Sequence, residues 1–113
     1  MNSRNFEKVE VWERAALLSA KVNCSLRSLW DPGFRDQIAR AGASMLNNIA
    51  EGLSQESLME RNRFLTIASL SCSQLQACVH RGGDLGYFEK NQVADWFAET
   101  HEIVVMLGDL SDT

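Results

Sequence analysis

Residues 93–110, VADWFAETHEIVVMLGDL, decide the fold. Val93, Trp96, Thr100, Ile103, Leu107 and Leu110 follow one another at steps of 3, 4, 3, 4 and 3. Alternating threes and fours keep these side chains on one stripe of a helix, at the spacing used by helices packed along their length. Phe97 and Val104 broaden the stripe. A helix with one apolar face must bury it, so the rest of the chain has to supply partners.

Three further stretches have the same character. From Glu10 to Leu29 the stripe is Val11, Ala15, Leu18, Val22, Leu26 and Leu29, with Trp12 and Leu17 widening it toward the core or toward a partner. Asp31-Pro32 then reads as a helix start: the carboxylate can accept a bond from a free backbone N–H, and proline fits the first helical position. The helix it opens runs from Pro32 to Leu53 on Phe34, Ile38, Ala41, Met45, Ile49 and Leu53. Ala39, Ala41, Gly42, Ala43 and Ser44 in its middle suit close approach of a neighbour, and Gly52 stands where a left-handed cap is wanted. Ser57-Leu58-Met59-Glu60 is a capping box. It opens a third helix, Leu58 to Arg81, whose expected inner face is Phe64, Ile67, Ala68, Ser71, Leu75, Cys78 and Val79, with Gly82-Gly83 closing it. The fourth runs from Glu89 to Leu110. Short connections between four helices of about 20 residues predict an all-α fold, an antiparallel up-down-up-down four-helix bundle. Residues 1–113 are read as a single domain, and the second and third helices as its closest pair.

Composition agrees. Of 113 residues, 45% are hydrophobic, enough for a core; one proline and seven glycines are too few for many short strands. No apolar run approaches the roughly 20 residues of a membrane span, and Met1 to Glu7 offer no signal-peptide core, so a cytoplasmic protein is expected. Cys24, Cys72 and Cys78 form no C-x-x-C pair and are read as buried structural thiols. Eleven bases against fifteen acids give −4 overall. Residues 82–113 hold seven of the acids (Asp84, Glu89, Asp95, Glu99, Glu102, Asp109, Asp112) and only Lys90. That balance disfavours nucleic acid as a partner of the whole chain.

A search for chemistry returns little. Ala77 and Ala98 stand three residues before His80 and His101, where a di-iron bundle needs glutamates. Gly42-Ala43-Ser44-Met45-Leu46 lacks the last glycine of a nucleophile elbow, and Gly82-Gly83-Asp84-Leu85-Gly86 has no lysine to make a phosphate loop. Glu99 and Glu102 read as a solvated helix face. No catalytic residue, metal ligand or cofactor is therefore expected. Arg35, Arg40, Arg61 and Arg63 are the candidate polyanion contacts, should one end of the bundle gather them into a rim. Asn47-Asn48 and Glu51 interrupt the end of the second helix; an acid near a helix C-terminus opposes the dipole and calls for a specific partner.

This last stretch carries a resemblance. Ser44-Met45-Leu46-Asn47-Asn48-Ile49-Ala50-Glu51-Gly52 is similar to the S-[IV]-P-x-N-I-A-E-G signature of small bacterial four-helix bundle proteins, the 23S rRNA intervening-sequence or S23 family. Phe6 with Val9-Glu10-Val11-Trp12, Glu60 with Arg63-Phe64-Leu65, Ile67-Ala68 and Ser71, and Leu85-Gly86-Tyr87 resemble its other motifs. Leu46 replaces the signature proline, and Leu70 a glycine often found before the third-helix serine. The resemblance implies an antiparallel bundle, a homopentamer around a central channel, and motif residues Ser44, Asn48, Ile49, Ala50, Glu51 and Gly52 of structural importance. A related branch, the accessory variability determinant proteins of retroelements, forms a basic pentamer that binds nucleic acid. Three readings follow: a non-enzymatic assembly module of unknown role, an RNA- or ribonucleoprotein-associated adaptor, or a small-molecule- or metal-binding bundle, which predicts a buried polar cavity near Asn48 or the histidines.

Overall fold

The periodic stretches form four helices, α1 (Ser3–Leu26), α2 (Pro32–Leu53), α3 (Leu58–Asp84) and α4 (Lys90–Ser111). The structure is a computed structural model that describes residues 3–111, with side chains from Glu7 onward. The Phe6 side chain and Asp112 lie outside what it describes. The helices form an all-α bundle. α1 meets α2 and α4, α3 meets α2 and α4, and the diagonal pairs do not meet, which gives the order α1, α2, α3, α4 around the axis.

Local chemistry sets most of the boundaries. The Asp31 carboxylate accepts from the Phe34 N–H at 3.1 Å, and the Ser57 hydroxyl accepts from the Glu60 N–H at 3.3 Å, so both expected N-caps are present. α1 ends at Leu26, short of the expected Leu29. The chain turns there, with the Leu29 N–H bonded to the Leu26 carbonyl at 3.1 Å. Leu29 still rests half-buried on the core, which is why its spacing read as helix.

The glycines require a correction. Gly82 and Gly83 do not close α3; the helix runs through them to Asp84. Gly82 is buried, and a Cβ there would overlap the Phe88 ring. Its absent side chain lets Phe34, Tyr87, Phe88 and Trp96 stack across the end of the bundle, with ring centroids 5.0–5.8 Å apart. Gly52 is likewise no left-handed cap. It lies inside the last turn of α2, where a Cβ would stand 2.9 Å from Leu65. Among the described residues the one positive φ is at Gly86, +78°, in the connection to α4.

The core is filled by Val11, Leu18, Ile38, Met45, Ile49, Leu65, Leu75, Ile103 and Leu107. On α3 the buried arc is Leu65, Ala68, Ser71, Cys72, Leu75, Cys78, Val79 and Gly82. Leu65 and Cys72 take the places expected for Phe64 and Ile67, because α3 must also face α4 and turns its apolar arc that way. α2 and α3 form the closest pair. Trp12, Leu17 and Phe97 are exposed rather than core.

Two glycines make the packing argument testable. Gly108 is exposed on α4 and nothing lies within 4 Å of a Cβ there. Gly108→Ala should raise stability by about 0.5–1 kcal/mol through helix propensity alone. Gly82→Ala gains the same propensity but must displace Phe88, for a net loss of about 1–3 kcal/mol. Thermal unfolding followed by circular dichroism should show midpoints moving in opposite directions.

Candidate functional site

The stretch Ser44 to Gly52 builds the seam between α2 and α3. The Ser44 and Ser71 hydroxyls stand 2.7 Å apart, a contact only small side chains allow. The Asn48 amide donates to the Ser44 carbonyl at 2.8 Å and to its hydroxyl at 3.3 Å, so its polarity is satisfied within α2. Ile49 is fully buried, and Gly52 is pressed against Leu65 and Phe64. Ala50 and Glu51 are exposed. The Glu51 carboxylate meets no described residue, so the partner expected for it is not within the described chain. Leu46 in the signature's proline position leaves α2 unbroken, and Leu70 points outward, 62% exposed.

The four candidate arginines do not gather. α2 and α3 run antiparallel, with Ser44 beside Ser71, and Gly52 beside Leu65. Arg40 is therefore level with Ala77 and Arg81, in an open groove of about 450 Å³ that they line with Gln37, Ser44, Gln74 and Cys78. Arg61 and Arg63 lie beyond Leu65, about 20 Å away along the axis at 1.5 Å per residue. Arg40 pairs with Asp36 at 3.0 Å, and Arg63 with Glu60 at 3.1 Å. Arg35 donates to the Leu29 carbonyl at 3.4 Å. Arg61 Nε is enclosed with no acceptor among the described residues. No rim is formed.

His80 lies 3.7 Å from Asp84, and His101 is exposed. Among the described residues no three His, Cys, Asp or Glu side chains could share a metal ion. The cysteine reading needs one change: Cys72 and Cys78 are buried but Cys24 is exposed, and all three are free. Burial pushes the Cys72 thiol up to about 12, and its sulfur donates to the Thr100 carbonyl at 3.4 Å. The groove beside Ser44 is open to solvent, and Asn48 is not among its lining residues.

Three features carried no signal in the sequence. Glu99 is not simply solvated: it accepts two bonds from Arg14, at 2.7 and 2.9 Å, and clamps α4 to α1. That bond holds the Glu99 carboxyl below the usual carboxylate range. Asp31 takes a second bond from the Tyr87 hydroxyl at 2.8 Å, joining the two connections at one end of the bundle. Its carboxyl is also held low, first by the Phe34 N–H and then by Tyr87. Finally, Trp30 is 92% exposed. No helix among the described residues is long and apolar enough to cross a membrane.

Comparison with known proteins adds two findings. The family model described as 23S rRNA-intervening sequence protein matches residues 7–109. A crystal structure at 1.70 Å of a protein of unknown function from the S23 ribosomal protein family of Bacteroides thetaiotaomicron VPI-5482 superposes with a TM-score of 0.86. The two share 19% identity over 95% of this chain and 99% of that one, a likeness of fold. No curated protein matches.

Two measurements test these assignments. Glu99→Gln should cost about 1 kcal/mol at neutral pH, the scale of a half-buried bidentate pair. Because the folded-state pKa is depressed, the contribution is complete above the ordinary glutamate range and lost as pH falls through the folded value. Urea midpoints of the wild-type and variant chains should therefore converge in acid. A maleimide at pH 8 should label the folded chain once, at Cys24, and the unfolded chain at all three cysteines.

Proposed function

The chain belongs to the 23S rRNA-intervening sequence protein family, and from that membership and its surface we propose that it is a non-enzymatic cytosolic interaction protein that works by assembling with copies of itself. The observation that carries this is the outer face of α3. From Phe64 to Val79 the helix contains no Asp, Glu, Lys, Arg or His. That is about 24 Å of helix at 1.5 Å per residue, and it leaves Thr66, Ile67, Leu70, Ser73, Gln74 and Ala77 in water. A single exposed leucine is ordinary, but a neutral face of four turns is not the surface of a freely solvated helix. Phe97 and Val105 on α4 and Val9 and Trp12 on α1 add to the exposed apolar area.

Five copies is the number the family resemblance implies. Five chains of −4 make −20, a charge that repels polyanions. With its arginines dispersed and two of them paired to acids on their own helices, the RNA-adaptor reading has the weaker support.

Light scattering coupled to sedimentation velocity tests the proposal. The expected result is a closed species of several 12.7 kDa chains, five by the resemblance, that Leu70→Glu dissociates without unfolding. A single chain at micromolar concentration would end the assembly reading.

A further inference from the structure

The open groove of about 450 Å³ over the α2–α3 seam is walled by bases and amides. Gln37 and Arg40 come from α2, Gln74 and Arg81 from α3. Ala41 and Ala77 are small, which leaves space between two helices otherwise in close contact. No acid lines the groove. The Ser44 hydroxyl is already engaged with Ser71 and Asn48. The free polar groups are therefore the two guanidinium groups and the two glutamine amides, which make no side-chain hydrogen bond among the described residues.

The carboxylates nearby are engaged elsewhere or only in part. Asp36 meets Arg40 through Nε at 3.0 Å, and the two terminal nitrogens of Arg40 have no acceptor among the described residues. That pair is 80% and 63% exposed, a surface pair that holds little energy of its own. Asp31 is taken by Phe34 and Tyr87, and Asp84 lies near His80. Arg81 has no ion pair or side-chain hydrogen bond among the described residues. Its charge is felt inside the groove, where it opposes the rise that burial imposes on the Cys78 thiol. Arg40 is level with Ala77, one turn from Arg81, or about 6 Å along the axis at 1.5 Å per residue. Two flexible arginine side chains can meet at a common point across that distance.

The donor set selects the ligand. One arginine fork satisfies a carboxylate. A phosphomonoester carries three strong acceptor oxygens and about two charges, enough for two guanidinium groups approaching from different helices. The glutamine amides both donate and accept, so they suit a polar body attached to the phosphate. The groove volume falls within the roughly 300–1,000 Å³ of small-molecule sites. The net charge of −4 repels a long polyanion, but a single phosphate beside two bases feels those bases first, because distant charge is screened.

We propose that this groove binds a small phosphomonoester, with its phosphate between Arg40 and Arg81 and its body along Gln37 and Gln74. Gln74 and Ala77 also belong to the uncharged face of α3, so the site adjoins the surface assigned to self-assembly while standing on separate observations.

An amide NMR titration tests the site, with inorganic phosphate, uridine monophosphate and acetate as probes. It is run on the wild-type chain and on Leu70→Glu, in which a neighbouring copy no longer covers the groove, and each base variant is compared within its own background. Both phosphates should give saturable shifts at Gln37, Ala41, Gln74 and Ala77, uridine monophosphate at the lower concentration, and acetate none. Arg81→Gln and Arg40→Gln, both at exposed positions, should each weaken binding by about tenfold or more with the helical signal in circular dichroism intact. Arg35→Gln, outside the groove, should leave it unchanged. Saturation in Leu70→Glu alone supports the site and puts it beneath the assembly contact. Shifts that fail to saturate by about 10 mM phosphate in either chain overturn it. So does saturation that both base variants leave intact, or an equal response to acetate. A wild-type single chain that binds phosphate ends the assembly reading and upholds this one.

Discussion

The approach of α2 to α3 is the constraint on which the other arrangements depend. At the seam Ser44 and Ser71 touch through their hydroxyls, Ala41 and Ala68 are buried, and Gly52 presses on Leu65. Interhelical distance follows side-chain size at the contact, so small residues here draw the two axes together. α1 completes the square from outside. It reaches α2 where a Cβ at Gly42 would stand 3.3 Å from the Ser19 hydroxyl, and it is clamped to α4 by Arg14 and Glu99. The large core residues, Met45, Ile49, Leu75, Ile103 and Leu107, fill the space left between the seam and these two attachments.

Much of this was legible in the sequence, and the failures share a cause. Periodicity located all four helices, and Asp31-Pro32 and Ser57-Glu60 fixed two starts, because a cap is a local exchange of hydrogen bonds. Whether a glycine ends a helix or admits a neighbour is not local. Gly82 looks like a terminator until Phe88 is placed against it, and only the fold does that. The arginines failed in a similar way. Arg35 and Arg61 each lie near the start of a helix, but successive antiparallel helices start at opposite ends, so likeness of position in sequence meant separation in space. The Ser44 to Gly52 stretch stood out for its polar residues; that it is a seam became clear only with Ser71 across from it. Trp30 belongs to no period and gave no signal at all.

The acidic last quarter also reads differently once folded. Glu99 is drawn out of the solvated set by Arg14, and Asp84 is held near His80. Asp95, Glu102 and Asp109 also stand on α4, on which Phe97, Ala94 and Ala98 line the groove toward α3 while Glu99 lies toward α1.

The bond between Tyr87 and Asp31 has a mechanical consequence. Two of the three interhelical connections meet at that end and are pinned by this bond and by the aromatic stack beneath it. At the other end the Ser54–Ser57 link is the connection between helices among the described residues, and it joins α2 to α3. The bundle is built like tweezers, rigid at the hinge and compliant at the tips. Partial opening costs least where no covalent link restrains the helices, so amide exchange should quicken progressively from the pinned end toward the free one.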